Sequence, residues 1–298
     1  MCYNTELVHK CRHGIAAFRT FVWSARLPRR EKFAAKETRT RKRYPSKGVR
    51  EMYSSVLETP FFLGMIEEKH KPLVESKFIV RQYPKGQVLY FHGDEGKEMY
   101  IVKSGVLKIF RQSDGQEIIL GHQFPGEVVG ELEIFHYDNR RTASVATLEP
   151  SELWMIKRND VLELSKLYPE ILRKTIYILS ERLIQADRKL EYLAFLDIRV
   201  RVANLLLDLY ENFGDSTENG LLIKWKITQQ HLASMIGAGR ESTARVLHEF
   251  QNDGIIRIRN RFIYILDMPS LREIAGAQKQ SDASRRWHST YKYDITFV

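Results

Sequence analysis

The chain has 298 residues, 43% of them hydrophobic, and a formal net charge of +10, a length that suits about two domains with buried cores. Its two cysteines both fall within the first 51 residues, which excludes a disulfide framework and a cysteine-ligated iron–sulfur cluster from residues 52–298 and fits a reducing cytoplasm. That body has no cluster of metal-ligand residues, no nucleophile paired with a base and no membrane-spanning apolar run, so we expect no metal site, no enzyme and no membrane protein.

The positive charge is concentrated in the first 51 residues. This segment holds 14 Lys and Arg against 4 Asp and Glu, which leaves 33 residues of each sign for the body. The net charge is therefore no indication that the body binds nucleic acid. We predict a basic, disordered extension at 1–51 that adds nonspecific phosphate affinity, or a non-native extension of a protein that starts at Met52. We favour the start at Met52, because the codons of 47–49 can form a ribosome-binding sequence. The arginine-rich composition is also typical of an organellar transit peptide.

Residues 52–168 have the pattern of short strands separated by turns. Glycine turn signals at 104–105, 114–115 and 125–126 lie about ten residues apart, with β-branched and aromatic residues between them. The Asp-Gly pair at 114–115, between two such runs, predicts a two-residue β-hairpin. Evenly spaced short strands of this kind predict an antiparallel, jelly-roll-like β-domain.

One segment of this β-domain combines residues that suit a sugar phosphate. The run GEVVGEL at 126–132 is followed ten residues later by Arg141 and Thr142. Gly130 permits a close backbone approach, and Glu131 can accept hydrogen bonds from ribose hydroxyls. Arg141 and Thr142 can donate hydrogen bonds to phosphate oxygens. A glycine turn beside a surface ion pair would show the same spacing.

Residues 169–196 are predicted to form a long helix with an apolar seam. Apolar residues recur there in alternating steps of four and three. The seam consists of Leu172, Ile176, Leu179, Leu183, Ala186, Leu190 and Leu193. Seven consecutive matches favour an interface between two copies of this helix over packing on the chain's own sheet.

The next segment, 227–251, predicts two helices joined by a glycine turn. Thr228 is a suitable N-cap for the first helix, and the glycines at 237–239 end it. The second helix then begins near Arg240. This arrangement is that of a helix-turn-helix, whose second helix lies in the DNA major groove.

Polar residues around the turn suit contacts with DNA. Arginine can form paired hydrogen bonds to guanine, glutamate can accept one from cytosine, and short polar groups suit phosphate oxygens. The residues expected to contact DNA are Gln229, Gln230, Gly239, Arg240, Glu241, Ser242 and Arg245. An ordinary helical pair with a solvated charged face is the alternative interpretation.

Residues 254–266 predict a hairpin that turns at Asn260, as in the wing of a winged helix. Arg257, Arg259 and Arg261 in this hairpin could contact phosphates. We predict a polar tail at 276–298.

The order of these motifs resembles that of the CRP/FNR family of bacterial transcription regulators. GEVVGEL with RRTASV, and RESTARVL in the second helix, carry the resemblance, which spans about residues 57–275. It implies an α+β fold with an N-terminal cyclic-nucleotide-binding β-roll at 52–168, a dimerisation helix at 169–196 and a winged helix-turn-helix at 197–275. It also implies a cytoplasmic homodimer that binds double-stranded DNA and works with RNA polymerase.

The resemblance also assigns roles to residues. Glu131 would bind ribose and Arg141 phosphate, with cyclic AMP or another cyclic nucleotide as the implied effector. The implied effector-binding residues are Gly130, Glu131, Leu132, Arg141, Thr142, Ala186 and Asp187. Arg240, Glu241 and Arg245 match the base-reading residues of the cyclic AMP receptor branch, which implies a palindrome of TGTGA-like half-sites.

One pair of residues departs from that branch. Relatives that bind cyclic AMP place a Thr-Ser pair against the adenine, where this chain has Ala186 and Asp187. Asp187 could accept a hydrogen bond from the adenine amine, but Ala186 lacks the hydroxyl. Two alternatives therefore stay open: the same DNA-binding regulator with a non-nucleotide effector or none, and a nucleotide sensor whose C-terminal domain docks protein.

Overall fold

The structure, a computed structural model, describes residues 53–218 and 220–276 together with Arg285 and Trp287. The predictions for 1–51 and for most of the tail 276–298 lie outside the described residues. The helices are α1 Lys71–Glu75, α2 Glu131–Phe135, α3 Arg158–Leu167, α4 Glu170–Phe195, α5 Ile198–Phe213, α6 Gln229–Ile236, α7 Arg240–Asn252 and α8 Met268–Ile274. The strands are β1 Ile79–Tyr83, β2 Val88–Tyr90, β3 Glu98–Ser104, β4 Leu107–Ser113, β5 Gln116–Gln123, β6 Val128–Val129, β7 Ser144–Thr147, β8 Ser151–Lys157, β9 Gly214–Thr217, β10 Gly220–Ile223, β11 Ile256–Arg259 and β12 Phe262–Ile265.

Two antiparallel sheets form the N-terminal β-domain. Their strand orders are β1-β8-β3-β6 and β2-β7-β4-β5. Strand β3 is covered on both faces, because alternate side chains along a strand point to opposite sides. Tyr100 and Val102 pack in the core between the sheets, whereas Met99 and Ile101 pack with the N-terminal turns and α4. The predicted β-roll is confirmed.

The hairpin between β4 and β5 has the predicted turn. Ser113 pairs with Gln116, and the two residues between them, Asp114 and Gly115, have φ of +50° and +75°. Positive φ at both central residues is the geometry that an Asp-Gly turn favours.

Helix α4 presents two different faces. Ile171, Thr175 and Ile178 are buried against the β-roll. The predicted seam lies on the adjacent side of the helix, one residue further along: its members Leu172, Ile176, Leu183, Leu190 and Leu193 are between 36% and 66% exposed, Ala186 is exposed and Leu179 is half-buried. Helix α4 therefore packs on its own sheet with one face and leaves the seam uncovered.

Helix α4 ends where the next helix is capped. The Asp197 side chain accepts a hydrogen bond from the backbone N of Val200 at 2.9 Å, which satisfies an amide of the first turn of α5. Helices α5–α8 and the sheet β11-β12-β10-β9 then form the C-terminal winged helix domain. None of the described helices is both long and apolar enough to cross a membrane.

The β-roll and the winged helix domain share a core. Phe110 of β4 and Ile119 of β5 belong to the same buried cluster as Leu232 and Met235 of α6. Beside this cluster, the Nε2 atoms of His122 on β5 and His231 on α6 lie 3.0 Å apart, so one imidazole donates to the other. Strand β5 and helix α6 are therefore one place where the two domains are in direct contact.

Part of the segment predicted to be a polar tail is packed. Arg285 is buried, and its guanidinium donates to Asp208 at 2.8 Å and to the Asn204 side chain at 3.0 Å. Trp287 stacks on His122 with ring centroids 5.7 Å apart. The sequence did not indicate this, because one arginine and one tryptophan in a polar segment show no periodicity.

Candidate functional site

The first candidate site lies where β6 leads into α2. Gly130, between them, has φ of +83°. A Cβ atom there would lie 2.5 Å from Nη1 of Arg141 and 3.0 Å from the backbone O of Glu98. A side chain at this position would therefore collide with Arg141, so glycine is what lets the guanidinium lie against the turn.

Arg141 is buried at the centre of this site. Its Nη2 donates to the backbone O of Glu98 at 2.8 Å, and its guanidinium carbon lies 3.9 Å from the centre of the Tyr90 ring. Its Nε is buried and has no hydrogen-bond partner in the structure. Hydrogen bonding and the aromatic face thus hold a permanent cation inside the β-roll.

The hydrogen-bond donors predicted for a phosphate converge on a carboxylate of the chain itself. Arg141 Nη1 lies 3.3 Å from Oε2 of Glu133. The backbone N and the hydroxyl of Thr142 both donate to Oε1 of Glu133, at 2.9 Å and 3.1 Å. Sequence reasoning missed Glu133, although it stands two residues after Glu131 and directly follows the motif.

Glu131 has a different partner. It is fully buried, and its Oε1 accepts a hydrogen bond from Arg182 Nη1 of α4 at 2.5 Å. Arg182 Nη2 also donates to the backbone O of Val128 at 2.7 Å. Burial raises the pKa of Glu131, and the charge of Arg182 opposes that shift. Oε2 of Glu131 is buried without a hydrogen-bond partner, so it can accept from a ligand hydroxyl.

The structure therefore brings together four of the predicted effector residues and adds two. Gly130, Glu131, Arg141 and Thr142 form one cluster with Glu133 and Arg182. The side chain of Leu132 is instead 39% exposed, and Ala186 and Asp187 are exposed on α4. Ala186 follows Arg182 by one helical turn, so both lie on the same side of α4. The sequence signal that could have identified Arg182 is its position, because it is a cation one helical turn before Ala186, a predicted contact of the adenine base.

The second candidate site is the helix pair α6–α7. The hydroxyl of Thr228 accepts from the backbone N of His231 at 3.1 Å and caps α6, as predicted. Gly237 ends α6 with φ of +62°, and α7 begins at Arg240. The inner face of α7 is buried through Val246, Leu247 and Phe250, which fixes which side of the helix faces solvent.

The outer side of this helix pair carries the predicted DNA contacts. Gln229, Gln230, Gly239, Arg240, Glu241 and Arg245 are exposed, and Ser242 is half-buried. Thr243, which has a similar short polar side chain, is instead buried, and its hydroxyl donates to the backbone O of Gly239 at 3.0 Å. The exposed residues thus lie at the start of α6 and in the N-terminal half of α7.

The predicted wing lies between β11 and β12. Asn260 and Arg261 have φ of +53° and +65°, which gives the hairpin a two-residue turn at the predicted place. Arg257, Arg259 and Arg261 are exposed. The wing therefore presents three cations available to phosphates.

Comparison with known proteins matches both halves of the chain. Residues 80–168 match the cyclic nucleotide-binding domain, and residues 200–274 match the Crp-like helix-turn-helix domain. The cyclic AMP receptor protein of Thermus thermophilus is 34% identical over 218 residues, which are 73% of this chain and 97% of that protein. A CRP-like cAMP-activated global transcriptional regulator of Mycobacterium tuberculosis is 32% identical over 190 residues, 63% of this chain and 84% of that protein.

The fold is similar to that of solved regulators. The c-di-GMP-responsive global regulator CLP of Xanthomonas campestris is 29% identical with a TM-score of 0.61, and the match covers 66% of this chain and 98% of CLP. The relative from Mycobacterium tuberculosis is named as a global transcriptional regulator and CLP as a global regulator, which agrees with the expectation that the chain is not an enzyme. With both domains matched in order, the chain belongs to the CRP/FNR family of DNA-binding bacterial transcription regulators.

Proposed function

We propose that this chain is a homodimeric regulator that binds a palindrome of TGTGA-like half-sites and is controlled from its β-roll. The exposed face of α7 is the observation that carries the proposal. Arg240, Glu241 and Arg245 project from a helix whose other side is buried in the winged helix core. Base pairs are discriminated in the major groove by such contacts: arginine donates paired hydrogen bonds to guanine, and glutamate accepts a hydrogen bond from cytosine.

The uncovered seam of α4 supports the homodimer. It runs along a helix of 26 residues, about 39 Å long, and exposes apolar side chains at regular spacing. Burying each leucine of such a seam stabilises a dimer by about 1.5–3 kcal/mol before the cost of association. Two α7 helices related by a two-fold axis would then contact half-sites one DNA turn apart. By family membership we propose the bacterial cytoplasm as its location and RNA polymerase as its protein partner.

A cyclic nucleotide is the first candidate for the effector. Oε2 of Glu131 can accept from a ribose hydroxyl, and Arg141 and Thr142 carry donors that suit a phosphate. The named relatives respond to cyclic AMP or to c-di-GMP. A second candidate is the same regulator with a non-nucleotide effector or none, and one contact favours it: Glu133 already accepts hydrogen bonds from Thr142 and faces Arg141.

The route from the β-roll to DNA follows contacts of α4 and β5. Arg182 joins Glu131 to α4, and α4 leads through the cap at Asp197 into α5. Strand β5 contacts α6 directly through His122 and His231. A ligand that changes the Glu131–Arg182 contact would therefore bias the arrangement of α4 and the winged helix, and so the orientation of α7.

A DNA-binding titration tests the proposal. Fluorescence anisotropy would compare a TGTGA-type palindrome with a scrambled duplex of the same length and composition, at one salt concentration. We expect tighter binding to the palindrome by about 10³-fold or more. Equal affinity for both duplexes would refute sequence-specific binding, and the face of α7 would then be an ordinary charged surface.

A further inference from the structure

The most informative feature outside the expected pattern is the position of Glu133. Its carboxylate is 3% exposed and accepts from both donors of Thr142, while Arg141 Nη1 lies 3.3 Å away. These are the groups expected to hold the phosphate of a cyclic nucleotide. A phosphate oxygen and a carboxylate oxygen compete for the same N–H and O–H donors, so one site cannot satisfy both.

Each buried carboxylate of the cluster already faces a guanidinium group of the chain. Two buried carboxylates, those of Glu131 and Glu133, face two guanidinium groups, those of Arg182 and Arg141. Glu98 adds a third, partly exposed carboxylate whose Oε2 lies 3.7 Å from Arg141 Nη2. A cyclic phosphate would add a negative charge to a cluster of three carboxylates and two guanidinium groups, and a like charge nearby disfavours an anion.

The side chain of Glu133 is also held in place. A Cβ atom at Gly96 would lie 2.9 Å from Cβ of Glu133, so the backbone there packs directly against this side chain. The backbone N of Gly96 donates to the O of Asn139 at 2.6 Å, which ties that backbone to the loop before Arg141. Glu133 is therefore confined between the Gly96 backbone on one side and Arg141 and Thr142 on the other.

We propose that Glu133 fills the phosphate position of this site, so that the wild-type protein excludes cyclic AMP and replacement of Glu133 admits it. The proposal rests on the β-roll cluster being the effector site. It names Glu133 as the residue that determines the ligand class, and so it favours the second candidate, a non-nucleotide effector or none, over the cyclic nucleotide. Oε2 of Glu131 stays available, so the wild-type site accepts a hydroxyl group and excludes the anion.

Isothermal titration calorimetry on the full chain tests this proposal, with cyclic AMP and adenosine as the two probes. Glu133→Ala removes the carboxylate, and Glu133→Gln keeps an acceptor for Thr142 but removes the charge. As a control, Asp138→Ala removes an exposed carboxylate from the loop that follows α2. We expect both Glu133 variants to bind cyclic AMP more tightly than wild type by about tenfold or more. Adenosine, which lacks the phosphate, should show no gain, and Asp138→Ala should match wild type.

Two outcomes would overturn the proposal. One is wild-type protein that binds cyclic AMP as tightly as Glu133→Ala. The other is a Glu133 variant that unfolds cooperatively on heating, and so is folded, yet gains no affinity. If Glu133→Ala does not fold, Glu133→Gln decides, because it retains the hydrogen bonds to Thr142. Palindrome binding, measured on the same samples, distinguishes failure of the Glu133 proposal from failure of the regulator function. Wild-type protein that binds cyclic AMP and still prefers the palindrome overturns only the role of Glu133.

Discussion

Arg245 lies on the exposed side of α7, next to the buried Val246, so its side chain can change without disturbing the core. We expect Arg245→Ala to weaken binding to the palindrome by about 1–3 kcal/mol and to relax the preference at one base pair of each half-site. Anisotropy titrations against single-base variants of the site would measure this change.

The matched control is Arg257→Ala on the wing, where the exposed arginine is proposed to contact phosphate. That variant should weaken binding to palindrome and scrambled DNA alike and reduce the salt dependence. If Arg245→Ala instead lowers the affinity for both duplexes equally, Arg245 does not contact a base.

His231 supplies a prediction about pH. Burial, together with the nearby charge of Lys108, lowers the pKa of His231 to about 4, and the charge of Glu117 opposes this shift. The unfolded chain takes up a proton near pH 6.5, whereas the folded chain does not, so the stability present above pH 6.5 is lost as pH falls toward 4. We expect the free energy of unfolding to fall by about 2 kcal/mol from this group between pH 7 and pH 5.

Urea denaturation at the two pH values would measure this loss. His231→Phe keeps an aromatic ring beside Trp225 and His122 but cannot be protonated. The fall in stability between pH 7 and pH 5 should therefore be smaller in this variant. A fall of equal size in both proteins would mean that other groups cause it.

For individual residues, the sequence predicted which residue types form the site better than it predicted which of them contact one another. Gly130, Glu131, Arg141 and Thr142 were identified because each has a residue type and a spacing that suit a sugar phosphate. Arg182 stands 51 residues from Glu131 in the chain, so only the packing of α4 on the β-roll brings the two together. Glu133 was missed because the sequence does not show whether a second carboxylate, just after the motif, faces Arg141 or solvent.

Among the elements, helix α4 packs on the β-roll with one face and exposes the apolar seam on another. Leu183 of the seam and Leu167 at the end of α3 are each 62% exposed, but only Leu183 belongs to the heptad pattern. We expect Leu183→Asp to shift the protein from dimer to monomer, because the two-fold axis would place two carboxylates in one apolar interface. Leu167→Asp is the control for an exposed leucine outside the seam and should leave the dimer intact.

Analytical ultracentrifugation of wild type and both variants at the same micromolar concentration would show the change. A Leu183→Asp variant that sediments as wild type would exclude the seam as the dimer interface. The heptad spacing predicted which residues share a face of α4. It could not show that the other face packs on the β-roll through Ile171, Thr175 and Ile178, because both faces are apolar.

Local sequence was most informative where turn chemistry dictates the backbone. The Asp-Gly turn at 114–115, the N-cap at Thr228, the glycine at 237 and the hairpin turn at Asn260 all lie at the predicted positions. Each depends on residues close in sequence. The contact of β5 with α6 and the packing of Arg285 join distant segments, so no local pattern indicated them.

At the scale of the whole molecule, the β-roll and the winged helix domain share a core and are joined by α4. The body carries equal numbers of positive and negative residues, so its DNA affinity depends on the local face of α7 and on the wing. A change at the cluster of Glu131, Glu133 and Arg141 can reach α7 through Arg182 and α4, or through β5 and α6. We therefore propose that the effector site, the dimer seam and the DNA-binding face are coupled.

We propose that two copies of α7, fixed by the dimer, contact two half-sites together. The most direct test is DNA affinity as a function of half-site spacing, measured by anisotropy at constant salt with TGTGA-type half-sites about 10 base pairs apart, centre to centre. Inserting about 5 base pairs places the half-sites on opposite sides of the duplex. We predict that the insertion lowers the affinity to that of a duplex with one half-site. An affinity that the insertion leaves unchanged would contradict binding of both half-sites by a rigid homodimer.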